Sequence, residues 1–384
     1  MQPFRVHETF FLHELARGLD KRKQFDMAVL DFSKAFDRVP HRRLLNKLNH
    51  YGIRGNTFNC IQSFLKDRSQ RVVVDGATSE SAPVVSGVPQ GSVLGPLLFL
   101  LFINDLPDCV TSNVRLFADD CIIFREIKEP EDTKKLQEDL NNLAAWERKW
   151  GMDFHPDKCS VIRIHRKKSP LERDYYLKGH MLKIEDRTKY LGVELTSDLS
   201  WKHHIDKITK KGNSTLGFLK RNLRIANRDL KETAYKTLVR PHLEYCVTVW
   251  NPHQKTQVKK IEMVQRRAAR YAVNDFEFRS SVTKMLERLK WETLEERRSK
   301  AQLVMLFKII KGHVDIEAQG YLQRAETRTR SGHANKFRIL QASTNCYKYS
   351  FFPRTITSWN TLPAEVTNIT ELSGFKQRLA SIHF

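Results

Sequence analysis

The feature that most restricts how this chain can fold is the stretch LFADDCIIF, residues 116–124. Two short apolar runs flank two adjacent carboxylates, Asp119 and Asp120. Apolar runs of this length predict a hairpin whose strands are covered on both faces. An uncompensated charge is costly in such surroundings, so the pair belongs at the hairpin tip, beside something that neutralises it. A lone Asp-Asp in a turn is ordinarily structural, and a third carboxylate is needed to give it chemical meaning. Asp31 is the candidate, at the end of the apolar stretch FDMAVLDF (residues 25–32). A strand end and a hairpin tip converge where their strands are neighbours. Three carboxylates gathered there repel one another, and Mg²⁺, a hard oxygen-seeking ion, is the natural neutraliser. Two such ions roughly 3.5–4 Å apart form the clamp used for in-line phosphoryl transfer.

Other segments fill in an α/β first half. Apolar positions at helical spacing (Phe10, Leu12, Leu15, Leu19) predict a helix over residues 6–20. Residues 40–66 predict two helical pieces broken at YGIRGN, and residues 70–87 a hairpin turning at Asp75-Gly76. The apolar run VLGPLLFLLFI, residues 93–103, predicts a buried helix and is too short to span a bilayer. Leu136, Leu140, Leu143, Trp146 and Trp150 recur at intervals of three and four, predicting a long amphipathic helix. Residues 160–164 read as a strand and residues 175–195 as another hairpin. From Trp201 onward the pattern turns helical and basic, interrupted by the prolines of FFPRTITSWNTLPAEV (residues 351–366), with a short helix expected last.

The balance of charge points to a partner. Lys and Arg number 66 against 44 Asp and Glu, a net +22, and the excess is uneven. Residues 1–200 hold 31 basic and 28 acidic side chains, whereas residues 201–384 hold 35 and 16. A near-neutral half joined to a strongly basic half suggests a polyanion grip attached to something else, with nucleic acid the expected partner. The six cysteines are scattered without a C-x-x-C pair, which argues against a zinc site or a disulfide framework and for a reducing compartment. The first residues, MQPFRVHETF, lack the apolar core of a secretory signal, so an intracellular protein, nuclear or cytoplasmic and without a membrane span, is expected.

AVLDFSKAFDRVPH (residues 28–41), SGVPQGSVLGPLLFLLFIND (residues 86–105) and LFADDCIIF follow one another in an order and spacing that resembles the palm motifs of reverse transcriptases. They are most similar to those of non-LTR, LINE-type retrotransposons. The similarity extends through WGMDFHPDKCSVI and KYLGVELTSDLSW, covering about residues 5–200, and more weakly into the tail. It implies the α/β palm of a right-hand polymerase, an antiparallel sheet plus helices, followed by a mainly α-helical basic thumb and C-terminal region. The corresponding divisions are residues 1–24 (a remnant of the fingers), 25–198 (palm with primer-grip hairpin), 199–290 (thumb) and 291–384 (basic C-terminal region).

The resemblance also implies roles. Asp31, Asp119 and Asp120 would hold two Mg²⁺ ions, or Mn²⁺, with the Phe32 carbonyl as a further ligand. Phe36 would lie beneath the sugar and exclude a 2′-hydroxyl, favouring dNTPs. Gln90 and Gly91 would lie against the incoming nucleotide, glycine being the residue that lets backbone approach a ligand closely. Lys158 would supply charge, or a proton, to the departing pyrophosphate. Tyr190, Leu191 and Gly192 would grip the primer end. Lys207, Lys210, Lys211, Lys220 and Arg221 would track phosphates. An RNA template, a DNA primer and dNTPs are the implied partners.

Only 30 residues precede Asp31, where the family places a fingers region, so an N-terminally truncated element is expected. Two readings follow: an RNA-directed DNA polymerase, and an inactive or domesticated fragment that only binds nucleic acid.

Overall fold

In a computed structural model of the chain, residues 4–225, 227–314, 316, 318–325 and 334–382 are described, with side chains from Glu8 onward. They fall into two compact units: residues 23–192 with 196–198, and the remainder of the described chain. The chain opens with α1 (Phe4–Asp20), which belongs to the second unit, and then enters the first unit at β1 (Phe25–Asp31).

α2 (His41–His50) and α3 (Gly55–Leu65) follow, divided at the expected break. Four short strands come next: β2 (Ser69–Gln70), β3 (Val73–Val74), β4 (Ala77–Thr78) and β5 (Ala82–Pro83). They make one hairpin arm, with Ser69 opposite Pro83 and Val73 opposite Thr78, closed by the predicted Asp75-Gly76 turn. The arm is exposed throughout, including Val72, Val73 and Val74. α4 (Leu94–Ile103) is the apolar run, and here expectation and structure differ. Leu98, Phe99, Phe102 and Ile103 are buried, but Leu97 and Leu100 are exposed, so only one face of the helix is covered.

β6 (Asn113–Phe117) and β7 (Asp120–Glu126) form the predicted hairpin, α5 (Pro130–Trp150) is the long amphipathic helix, and β8 (Ser160–Ile164) follows. A reciprocal Glu129–Asp132 capping box starts α5, and Gly151 in the left-handed region ends it. Its Leu136, Leu140 and Leu143 are fully buried, each contributing about 1.5–3 kcal/mol by burial. Residues 175–195 are not one hairpin. β9 (Tyr176–Leu177) and β10 (His180–Met181) turn at Lys178-Gly179; β11 (Lys183–Ile184) then joins β8 in parallel, and β12 (Arg187–Tyr190) and β13 (Val193–Thr196) come after. The left-handed Lys178-Gly179 pair closes the chain early, so the later residues are free to pair elsewhere.

The central sheet has the order β11-β8-β1-β7-β6, antiparallel except for β11. β1 lies in its middle with Met27, Ala28 and Leu30 buried, as an apolar run covered on both faces requires.

The second unit is helical. Its remaining elements are α6 (Lys202–Asn222), α7 (Arg228–Ala234), a π-helical turn (Tyr235–Val239), α8 (Arg240–Glu244), α9 (Val247–Trp250), α10 (Lys255–Val273), α11 (Val282–Leu289) and α12 (Leu294–Ile310). α13 (Asn345–Lys348), α14 (Phe351–Asn360), α15 (Ala364–Thr367) and α16 (Leu372–Ala380) complete it. FFPRTITSWN is thus helical rather than interrupted. Pro353 falls in the first turn, where its missing N–H would have had no helical partner. α1 packs here: Phe10 meets Tyr321 edge-on at 5.5 Å, and Asp20 accepts the Thr344 amide at 2.7 Å. Among the described residues no helix is long and apolar enough to cross a membrane.

Candidate active site

β1 and β7 run antiparallel in register from Phe25 opposite Glu126 to Asp31 opposite Asp120. Directly opposed residues project from the same face, so these two carboxylates share one side of the sheet end. Asp119 lies in the two-residue loop joining Phe117 to Asp120. Its neighbour Ala118 adopts φ 47°, a conformation costing a non-glycine residue on the order of 1–2 kcal/mol. Burial, then the charges of Asp119 and Asp31, push the Asp120 carboxyl above its ordinary range, while Lys189 pulls it down.

Asp31 is fixed from its other side by residues 153–159. The His155 amide donates to the Asp31 carbonyl at 2.8 Å and the Ser33 amide to the Asp153 carbonyl at 2.7 Å. The Phe32 ring stacks on Phe154 at 4.3 Å. The Phe154 amide donates to the buried Glu147 carboxylate at 2.8 Å, and Lys178 donates to the same oxygen at 2.6 Å. This stitching brings Lys158 Nζ to 3.4 Å from Asp31 Oδ2.

The donor chemistry suits a divalent cation: three carboxylates, all hard oxygens. The Asp120 carboxyl is raised first by burial and then by the charges of Asp119 and Asp31, and a cation would relieve the part due to those charges. The three do not form a closed cage, and among the described residues no three His, Cys, Asp or Glu side chains stand close enough to hold a metal as they are. Oxygens from substrate and solvent complete such sites for Mg²⁺, which binds few protein ligands.

A second cluster follows along the chain. Phe36 stacks on Phe99 of α4 at 4.5 Å, and its carbonyl accepts the Val88 amide at 2.7 Å. Pro40 and Ser86 form a bridge, and the Gly87 amide donates to the Val39 carbonyl at 2.8 Å. Gly87 has φ 92°, and a Cβ there would stand 2.8 Å from the Asp37 carbonyl oxygen, so no other residue fits. Gln90 Nε2 donates to Asp37 Oδ1 at 2.8 Å. Gly91 has φ 81° and open space where a Cβ would lie. Its glycine is therefore a conformational requirement, with room above it for a ligand.

The structure thus gathers Asp31, Asp119, Asp120 and Lys158 in one cluster and Phe36, Gln90 and Gly91 in another. Tyr190 is buried, and Leu191 and Gly192 are consecutive left-handed residues making the turn after β12. Two residues escaped the sequence reading. Lys189 acts on Asp120, and its only sequence signal is its place beside Tyr190. Asp37 holds Gln90, and nothing in its local sequence announces that.

Sequence comparisons with known proteins point to one family. A family model described as reverse transcriptase (RNA-dependent DNA polymerase) matches residues 6–195. The RNA-directed DNA polymerase from mobile element jockey of Drosophila funebris is 30% identical over 268 residues, covering 66% of this chain and 29% of that protein. A probable RNA-directed DNA polymerase from transposon BS of Drosophila melanogaster is 28% identical over 308 residues, covering 74% of this chain and 33% of that protein. The chain therefore spans about a third of the length of these curated relatives. Among solved structures, Candida albicans telomerase in complex with a fragment of telomeric RNA is similar with a TM-score of 0.38 and 13% identity, covering 77% of this chain and 52% of that one.

Proposed function

We propose, from the premise that residues 6–195 belong to the reverse transcriptase (RNA-dependent DNA polymerase) family, that this chain carries out RNA-templated DNA synthesis of the non-LTR retrotransposon kind. A primer 3′-hydroxyl would attack the α-phosphorus of a dNTP, the new phosphodiester bond forming as the bond to pyrophosphate breaks. The observation that carries this reading is the opposition of Asp31 and Asp120 at one sheet end, with Asp119 in the adjoining loop.

Asp31, Asp119 and Asp120 would hold two Mg²⁺ ions, or Mn²⁺, which when bound polarise the phosphate and stabilise the attacking and leaving oxygens. Lys158, already beside Asp31, would place positive charge near the departing pyrophosphate. Phe36 is held by Phe99 behind it, and a fixed ring is what steric exclusion of a 2′-hydroxyl needs. Gln90, oriented by Asp37, would contact the incoming nucleotide, with Gly91 leaving it room. Lys189 and the turn at residues 190–192 would hold the primer end, with the helices from residue 199 to 290 serving as the thumb.

The test is primer extension by the purified chain on an RNA template with Mg²⁺ and dNTPs, beside an Asp119→Asn control. Extension by the wild type and none by the variant is the expected result. No extension by a wild type that still binds RNA would overturn the reading and leave a nucleic-acid-binding fragment.

A further inference from the structure

We propose that the solvent-facing side of α10, together with the loop after it, is a binding track for single-stranded nucleic acid. This site is built wholly from the helical unit, within the helices read above as the thumb; it deepens that reading, and because its test measures binding alone it can fail while primer extension stands. On α10, Lys255, Lys259 and Arg266 line a groove of about 920 Å³. Their spacing of four and seven residues puts them on one face, over about 16 Å of helix axis. Among the described residues none of the three has an ion-pair partner, whereas neighbouring Lys260 is tied to Asp206 at 2.6 Å. Free cations along one groove wall are the footprint of a phosphate backbone.

The groove is not merely cationic, because Val258, Met263 and Val282 also line it. Apolar side chains interspersed with cations suit unstacked bases better than a duplex, which shows its phosphates and sugars outward. Two carboxylates, Glu262 and Glu295, are also in the lining, but Glu262 is engaged by the Glu295 amide at 2.8 Å. At one end His253 lies flat on Tyr349, with ring centroids 4.1 Å apart and planes at 4°.

The loop after α10 supplies a second aromatic element. Arg270 donates to the carbonyls of Glu277 at 2.7 Å and Ser280 at 3.1 Å, and the Asp275 side chain accepts the Glu277 amide at 3.0 Å. The loop backbone is therefore fixed, yet Phe276 is 58% and Phe278 99% exposed. Lys220 of α6 lies 5.5 Å from the centre of the Phe276 ring. Two exposed rings on a fixed loop, one of them beside a cation, form a stacking platform, since every base offers a π-face. Of the α6 residues expected to track phosphates, Lys207 is paired with Glu194 and Lys220 with this ring.

The test is titration of the full chain with a labelled 20-nucleotide single-stranded RNA, with DNA of the same sequence as a second arm, across a range of salt. Lys259→Ala with Arg266→Ala should weaken binding and reduce the slope of log affinity against log salt by about 1.4, two contacts at about 0.7 each for single strands. Phe278→Ala should weaken binding at least about fivefold with the slope unchanged. Photo-crosslinking through 4-thiouridine should mark the peptide holding Phe276 and Phe278. All these side chains are exposed or half-buried, and circular dichroism of the variants checks that folding is kept. Unchanged affinity and slope in both variants would overturn the proposal, as would competition by polyglutamate equal to that by RNA. A preference between the two arms identifies which nucleic acid the track takes.

Discussion

At the scale of single residues, the site is legible as unrelieved repulsion. Asp120 faces Asp31 across the β1–β7 ladder and adjoins Asp119, and its carboxyl is pushed above the ordinary range by burial and by both charges. A raised carboxyl favours the folded chain while protonated and opposes it once ionised. The cost is therefore absent at low pH and sets in as pH rises through the raised value. Asp120→Asn should stabilise the metal-free chain at pH 7 by roughly 0.2–1 kcal/mol, the range of cross-strand pair energies, since like charges directly opposite destabilise a ladder. Urea melts in chelator should show that gain closing as pH falls below the carboxylate range. A variant no more stable than wild type at pH 7 would show that the carboxylates do not repel in solution. Asp31 and the Asp119-Asp120 pair could be singled out from sequence because charge at the end of apolar runs demands a reason. Asp37 could not, because its part depends on where the loop at residues 86–91 folds back, a contact between segments about fifty residues apart.

At the scale of elements, that fold-back joins the strand end to the loop at residues 86–91. Val88 and Gly87 hydrogen-bond to Phe36 and Val39, and Gly87 sits against Asp37 too tightly for a side chain. Gly87→Ala should cost about 1–3 kcal/mol in stability as an overpacked contact. It should also raise the KM for dNTP more than it lowers kcat, since Gln90 would move and the carboxylates would not. Steady-state primer extension separates the two parameters, and a fall in kcat alone would place the damage at the carboxylates instead. Elements whose signals are local were legible: the β6–β7 hairpin, the heptad-like stripe of α5, the Asp75-Gly76 turn. Those that turn on tertiary partners were not. α4 looks fully buried by composition, yet Leu97 and Leu100 face outward. The run at residues 175–195 has strand chemistry throughout, but only the left-handed pair Lys178-Gly179 decides where the first hairpin ends. Pro353 suggests a break until its place in the first turn of α14 is known.

At the scale of the whole molecule, charge and chemistry are divided along the sequence. Residues 1–200 carry the carboxylates with 31 basic and 28 acidic side chains, and residues 201–384 carry 35 basic and 16 acidic. Binding and catalysis should accordingly respond to different variables. Chelation with EDTA should abolish primer extension, because three carboxylates repel the substrate phosphates unless a divalent cation stands between them, and Lys158 alone does not offset three negative charges. The same chelation should leave RNA affinity within about twofold, because the basic residues need no metal. Raising salt from 50 to 200 mM should do the reverse. With about five phosphates contacted at about 0.7 each, RNA affinity should fall on the order of a hundredfold, while kcat at saturating RNA changes little. Filter binding and extension assays on one preparation make the comparison direct. If EDTA releases RNA as well as stopping synthesis, the metal contributes to RNA binding and the two functions are not separable in this chain. If salt leaves affinity untouched, the basic half grips its partner by contacts other than phosphates.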